Sequence, residues 1–143
     1  MTARYPLVLN GTTIQELQSG DTLNGYAQTG ATNTFTGAQI GSITALTDGA
    51  TITPDFSANN SFSVTLGGNR TLANPTNIVA GQSGVFIITQ DGTGSRTLAY
   101  GSYYKFPGGT APTLTTTAAA VDVIAYFVGS TTQIDCVFIG NEK

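Results

Sequence analysis

No stretch of this sequence places apolar residues at helical spacing over the length a helix needs. What recurs is a short run of apolar and β-branched residues closed by glycine, asparagine or aspartate. Residues 61–66 show it most cleanly. Phe62, Val64 and Leu66 alternate with Ser61, Ser63 and Thr65, so an extended backbone gives one apolar and one polar face. Gly67-Gly68-Asn69 turns the chain and Arg70-Thr71-Leu72 returns. Residues 85–89 are again apolar, Asp91-Gly92-Thr93-Gly94 follows, and residues 96–100 extend once more, the pattern of a β-hairpin. Residues 103–106 are a short extended piece. Pro107-Gly108-Gly109 stops it, because proline cannot donate to a ladder and glycine allows positive φ. Residues 133–139 close the series, with Ile134, Cys136 and Phe138 alternating against Asp135 and Val137, and Cys136 reads as a small buried apolar residue.

Residues 121–128 differ in being apolar on both faces except at Asp122. Such a strand belongs inside a sandwich or at a subunit contact, and Ile124, Tyr126 and Val128 are the contact residues expected there. Residues 113–120 are ambiguous, their alanines favouring helix and their threonines extended chain. No internal repeat of fixed period is evident. About eight or nine short strands joined by such turns predict an all-β fold, an antiparallel β-sandwich of jelly-roll type over residues 42–143.

Residues 1–41 form a second region. Arg4 to Leu9 is a short extended run closed by Asn10-Gly11, a strong turn signal, and residues 12–17 either pair back as a strand or make one helical turn. Residues 27–42 are small and polar, as in a linker. Tyr5, Leu7, Val8, Leu9, Ile14 and Leu17 have no obvious core of their own, so this region reads as an extended N-terminal docking arm, or else as an edge hairpin packed on its own domain.

Charged residues make up only 9% of the chain, against roughly 25% in ordinary soluble domains. Surface covered in an assembly is the expectation. The five basic residues are scattered, which gives nucleic-acid binding little support. No apolar run is long enough to span a bilayer, and the first residues lack the apolar core and cleavage site of a secretory signal.

With no histidine and one cysteine, triads of Ser-His-Asp or Cys-His type are excluded. Asp48, Asp55, Asp91, Asp122 and Asp135 are the candidates for a catalytic carboxylate pair, but Asp48 and Asp91 stand beside glycine in turn sequences, where aspartate caps backbone. Asp91-Gly92-Thr93-Gly94 lacks the repeated acidic ligands of an EF-hand and the ending of a phosphate loop, so a turn explains it. Neither cofactor nor metal is expected, although carboxylates from neighbouring loops or subunits leave a route to a bound calcium ion. Tyr100, Tyr103, Tyr104 and Phe106 form the densest aromatic cluster. Tyr103 and Tyr104 are the candidate exposed aromatics, and being adjacent they point to opposite faces, one into the core.

The order GxxGxFxIxQDGTGSRTL, then YYKFPGGTAPTLTTTAAAVDVIAYF, resembles a β-sandwich module of tailed-bacteriophage structural proteins, found in tail fibres and in small capsid-decorating proteins. The likeness extends upstream through Leu66 to Leu72 and covers roughly residues 45–138. The segment YPLVLNGTTIQELQSGDTL is similar to N-terminal attachment segments of some phage virion proteins. The resemblance implies a non-enzymatic virion protein assembled in the host cytoplasm. Modules of this kind commonly trimerise, and together with the low charge and the two-faced strand at residues 121–128 this makes a homotrimer the expected form. One small module without a heptad stalk favours a capsid decoration (cement) protein, its arm bound to the major capsid protein so that it stabilises the head. A short tail fibre or tail-knob protein that recognises a host surface glycan is the alternative.

Overall fold

The computed structural model describes residues 7–10, 13–16, 38 and 40–142. The chain divides into two compact units, Met1–Gln39 and Ile40–Lys143. In the first, β1 (Leu7–Asn10) pairs antiparallel with β2 (Thr13–Glu16), with Leu7 opposite Glu16 and Asn10 opposite Thr13. The Asn-Gly signal thus brings the chain back as a strand. Tyr5 and Leu17 lie outside the described residues.

The second unit holds β3 (Thr44–Ala45), β4 (Thr51–Ile52), β5 (Ser61–Leu66), β6 (Arg70–Leu72), β7 (Ser83–Gln90), β8 (Leu98–Tyr100), β9 (Tyr104–Lys105), β10 (Val121–Ser130) and β11 (Gln133–Glu142). They form a large sheet of order β3-β5-β7-β10-β11-β9 and a small one of order β4-β6-β8. The architecture is all-β and sandwich-like, as the alternation predicts.

The pairing differs from an antiparallel jelly roll. β3, β5 and β7 run parallel, with Thr44, Phe62 and Phe86 in register, and β4, β6 and β8 run parallel, with Thr51, Thr71 and Ala99 in register. Each pair β3–β4, β5–β6 and β7–β8 is therefore an arch that crosses from the large sheet to the small one, and the three arches stack as the coils of a solenoid do. Gly67-Gly68-Asn69 and residues 91–97 are the corners of arches, where their turn residues predict hairpins. The two alternatives use the same turn chemistry; the difference lies in which strand receives the hydrogen bonds. β10 then pairs antiparallel with β7 and with β11, so a true hairpin extends the large sheet, while the short β9 pairs parallel with β11. Both modes occur in one mixed sheet.

The inward faces meet in a core built on aromatic rings. Phe62 and Phe86, in register on neighbouring parallel strands, stack at 5.4 Å, and Phe56 and Tyr126 join them at 5.5 Å from Phe62 and 5.2 Å from Phe86. Full burial of each such side chain contributes about 1.5–3 kcal/mol. The tyrosines bring polar ends with them. The Tyr126 hydroxyl donates to the Asn60 carbonyl at 2.7 Å and the Tyr104 hydroxyl to the Ala73 carbonyl at 3.1 Å. Tyr126 stands opposite Gly84, and a Cβ at that glycine would overlap the Asn60 carbonyl. Residues 113–120 take neither ambiguous option. Leu114 enters the core, Thr115 donates its N–H and its hydroxyl to the Asp122 carboxylate at 2.7 and 2.8 Å, and Ala119 turns the chain at φ +57°.

Candidate functional site

The motif that stands out in the sequence, QDGTGSRTL, turns out to be a rigid corner. Gln90 is buried, and its amide makes the two hydrogen bonds of a backbone pair with Arg96, accepting from the N–H at 2.8 Å and donating to the carbonyl at 3.0 Å. One Asp91 oxygen accepts the N–H groups of Thr93 and Gly94 at 2.9 Å each, and the other takes Nε and a terminal nitrogen of Arg96 at 3.0 and 2.7 Å. The Arg96 guanidinium, helped by those two N–H groups, holds the Asp91 carboxyl down at about 2. Gly94 has φ +74°, and a Cβ there would meet the Thr116 carbonyl at 2.5 Å. Ser95 donates its N–H to the same carbonyl, and Ala119 donates to the Asp91 carbonyl. The QDGTGSRT and TLTTTAAAVD stretches are thus two halves of one interlocked structure.

The other four candidate aspartates are also hydrogen-bonded. Asp48 takes Arg70 through both oxygens at 2.8 and 2.6 Å, and that guanidinium lowers its pKa. Asp55 accepts from Asn77 and from the Ser57 N–H and hydroxyl, which lower its pKa in the same way. Asp122 is buried on Thr115, and Asp135 accepts from the Gln133 amide at 2.9 and 3.2 Å. Among the described residues no three His, Cys, Asp or Glu side chains are grouped so as to hold a metal ion.

The aromatic cluster divides by face. Tyr104 is buried in the core, whereas Tyr103 is half-buried against its margin. Tyr100 packs edge-on against Phe106 at 4.8 Å and Tyr104 at 6.0 Å, and its buried hydroxyl has no hydrogen-bond partner among the described residues. Burial pushes the Cys136 thiol up to about 12, so it is neutral at physiological pH.

Ile124, Tyr126 and Val128, singled out by the sequence for a subunit contact, are 1%, 4% and 0% exposed. Their side chains fill this chain's own core and are not available to another subunit. The face that stays open on β10 is the opposite one. There Val123 stands between Ile87 of β7 and Ile139 of β11, and Ala125 between Val85 and Val137. Phe127 follows between Ser83 and Asp135. Phe127, Val137 and Ile139 are 52%, 56% and 45% exposed. At the end of this strip Phe106 and Pro107 wall a groove of about 570 Å³ whose floor includes Ala125, Phe127 and Val137. Lys105 and Asp135 stand directly opposite one another on β9 and β11 at the same end. The two-sided apolarity of residues 121–128 is what gives β10 an apolar outer face as well as an apolar inner one. Of the arm residues, Leu7, Val8 and Leu9 lie on β1 and Ile14 on β2.

The model for the family described as "Putative phage tail fibre C-terminal domain" matches residues 52–131. That span runs from β4 to the turn between β10 and β11 and takes in the second and third arches. No curated protein and no solved structure matches the chain.

Proposed function

The chain belongs to this phage tail-fibre C-terminal domain family, which makes it a virion-associated structural protein of a bacteriophage, and we propose that it is a non-enzymatic tail-fibre module that works as a homotrimer. The observation that carries this reading is the family match across the second and third arches. Asp48, Asp55, Asp91 and Asp122 agree with a structural role, since each is engaged in holding a corner or a loop.

On this reading residues 1–41 are the attachment arm, with Tyr5, Leu7, Val8, Leu9, Ile14 and Leu17 facing a tail protein, and the sandwich is presented to the host. The loops that return from the small sheet to the large one, residues 53–60 and 73–82, suit contact with a host surface glycan. They carry Asp55, Ser57, Asn60, Asn77 and Gln82, polar side chains pre-set by hydrogen bonds such as Gln82 to the Phe56 carbonyl at 2.9 Å.

Gold-labelled antibody against residues 40–143, applied to intact particles together with a count of copies per particle, tests the reading. Label at the tail with a few to a few dozen copies is expected. Hundreds of copies over the head would overturn it and restore a capsid decoration protein bound to the major capsid protein.

A further inference from the structure

We propose that the outer face of the large sheet at β7, β10 and β11 is the surface through which copies of this chain associate; the proposal rests on the homotrimer reading and names the contact that reading leaves open. An antiparallel sheet face open to water normally carries polar residues at its outward positions. The large sheet supplies its own control. On β5 the outward positions are Ser61, Ser63 and Thr65, as that rule requires. In register with Ser61 and Ser63, β7 carries Val85 and Ile87. The apolar character then continues across β10 and β11 to Val137 and Ile139. The change occurs between two hydrogen-bonded strands of one sheet, so it is not a property of the sheet's composition. Exposed apolar strips with such boundaries mark contact surfaces.

A second copy fits this strip better than other occupants. Its floor is valine, isoleucine, alanine and phenylalanine, without the hydrogen-bonding side chains that a sugar or a phosphate requires. The charges at its end are of opposite sign. The Lys105 ammonium donates to the Ser102 carbonyl at 2.7 Å and the Asp135 carboxylate accepts from Gln133, so although their backbones pair, the two charges are not joined to each other. A plus and a minus at the rim let the positive group of one copy meet the negative group of the next, as the head-to-tail contact of a ring requires. Around a three-fold axis each Lys105 can meet Asp135 of the next copy, while Phe127, Val137 and Ile139 are covered. Charges at such a rim set register and partner choice.

Sedimentation equilibrium of the full chain at micromolar concentration tests this with the wild type, Val137→Glu, Lys105→Glu, Asp135→Lys and the double swap. The wild type should be trimeric. Val137→Glu should weaken association more than tenfold while keeping a cooperative melt, because residue 137 faces water within one chain. Each single charge change should weaken association several-fold, and the double swap should restore it. A monomeric wild type overturns the trimer reading and this proposal with it. A trimeric wild type with an equally trimeric Val137→Glu, or a double swap no better than the singles, overturns the assigned face alone.

Discussion

Gly84→Ala is the substitution whose cost the geometry fixes best. Gly84 lies on β7 between Asn60, which leads into β5, and Tyr126 on β10. A Cβ at position 84 would overlap the Asn60 carbonyl and come within 2.9 Å of the Tyr126 hydroxyl. The first obstacle is backbone and cannot rotate away. Forcing an extra carbon into a packed site costs about 1–3 kcal/mol. The shift also breaks the Tyr126–Asn60 hydrogen bond of 2.7 Å, which is worth about 0.5–1.5 kcal/mol. The sum, about 2–4 kcal/mol, is a large part of the 5–15 kcal/mol that a domain has. At about 4–8 °C per kcal/mol it lowers Tm by roughly 10–30 °C. Thermal melts by circular dichroism measure it, with Gly92→Ala as the control, since nothing lies within 4 Å of a Cβ there. Tyr126→Phe should lose only the hydrogen-bond part, and the double variant should cost less than the sum because both changes act on Asn60. If Gly84→Ala melts with Gly92→Ala and the wild type, the close approach of β5, β7 and β10 is not as described.

Tyr100→Phe should leave Tm unchanged or raise it by a few degrees in the same assay, because it removes a buried hydroxyl that has no partner among the described residues. Ile124→Asp should abolish cooperative melting, since it places a charge without a partner in the core. The pH dependence of Tm should be flat near neutrality and fall on both sides. Asp91 has its folded pKa lowered from 3.8 to about 2, so its contribution is present above about pH 4 and is lost as the pH falls toward 2; Asp91→Asn should flatten that limb. Burial raises the Cys136 thiol from 9.0 and the Tyr126 phenol from 10.0, each to about 12, so stability should decline as the pH rises through that range.

The strands were legible because alternation is local: residues 61–66 declare an inward and an outward face whatever their neighbours are. Their partners were not. The turn residues at 67–69 and 91–97 suit a hairpin and an arch equally well, and only long-range packing of Phe62 on Phe86 decides between them. The repeat escaped a search for a fixed period because the loops between arches differ in length, as the register of Thr44, Phe62 and Phe86 shows. On β10 the inward face was not legible, because the apolar pattern marks both sides. Asp122 shares its face with Ile124, Tyr126 and Val128 and is buried because Thr115, seven residues earlier, supplies two donors. A polar residue marks the wet face of a strand only when no such partner is at hand. Residues 113–120 could not be assigned from propensity, since their hydrogen bonds go to the corner at Asp91 and Ser95.

If one face of the large sheet packs this chain's core and the other packs another copy, the two must differ in how concentration protects them. The most direct measurement is thiol labelling of Val137→Cys and Thr65→Cys as a function of protein concentration. Both positions face outward on the same sheet, and native Cys136 stays silent because it is buried and held as the neutral thiol. Thr65→Cys should label fast at every concentration, whereas Val137→Cys should label fast when dilute and become protected at micromolar concentration. Equal labelling of Val137→Cys at all concentrations would mean that this face meets water and not a second copy.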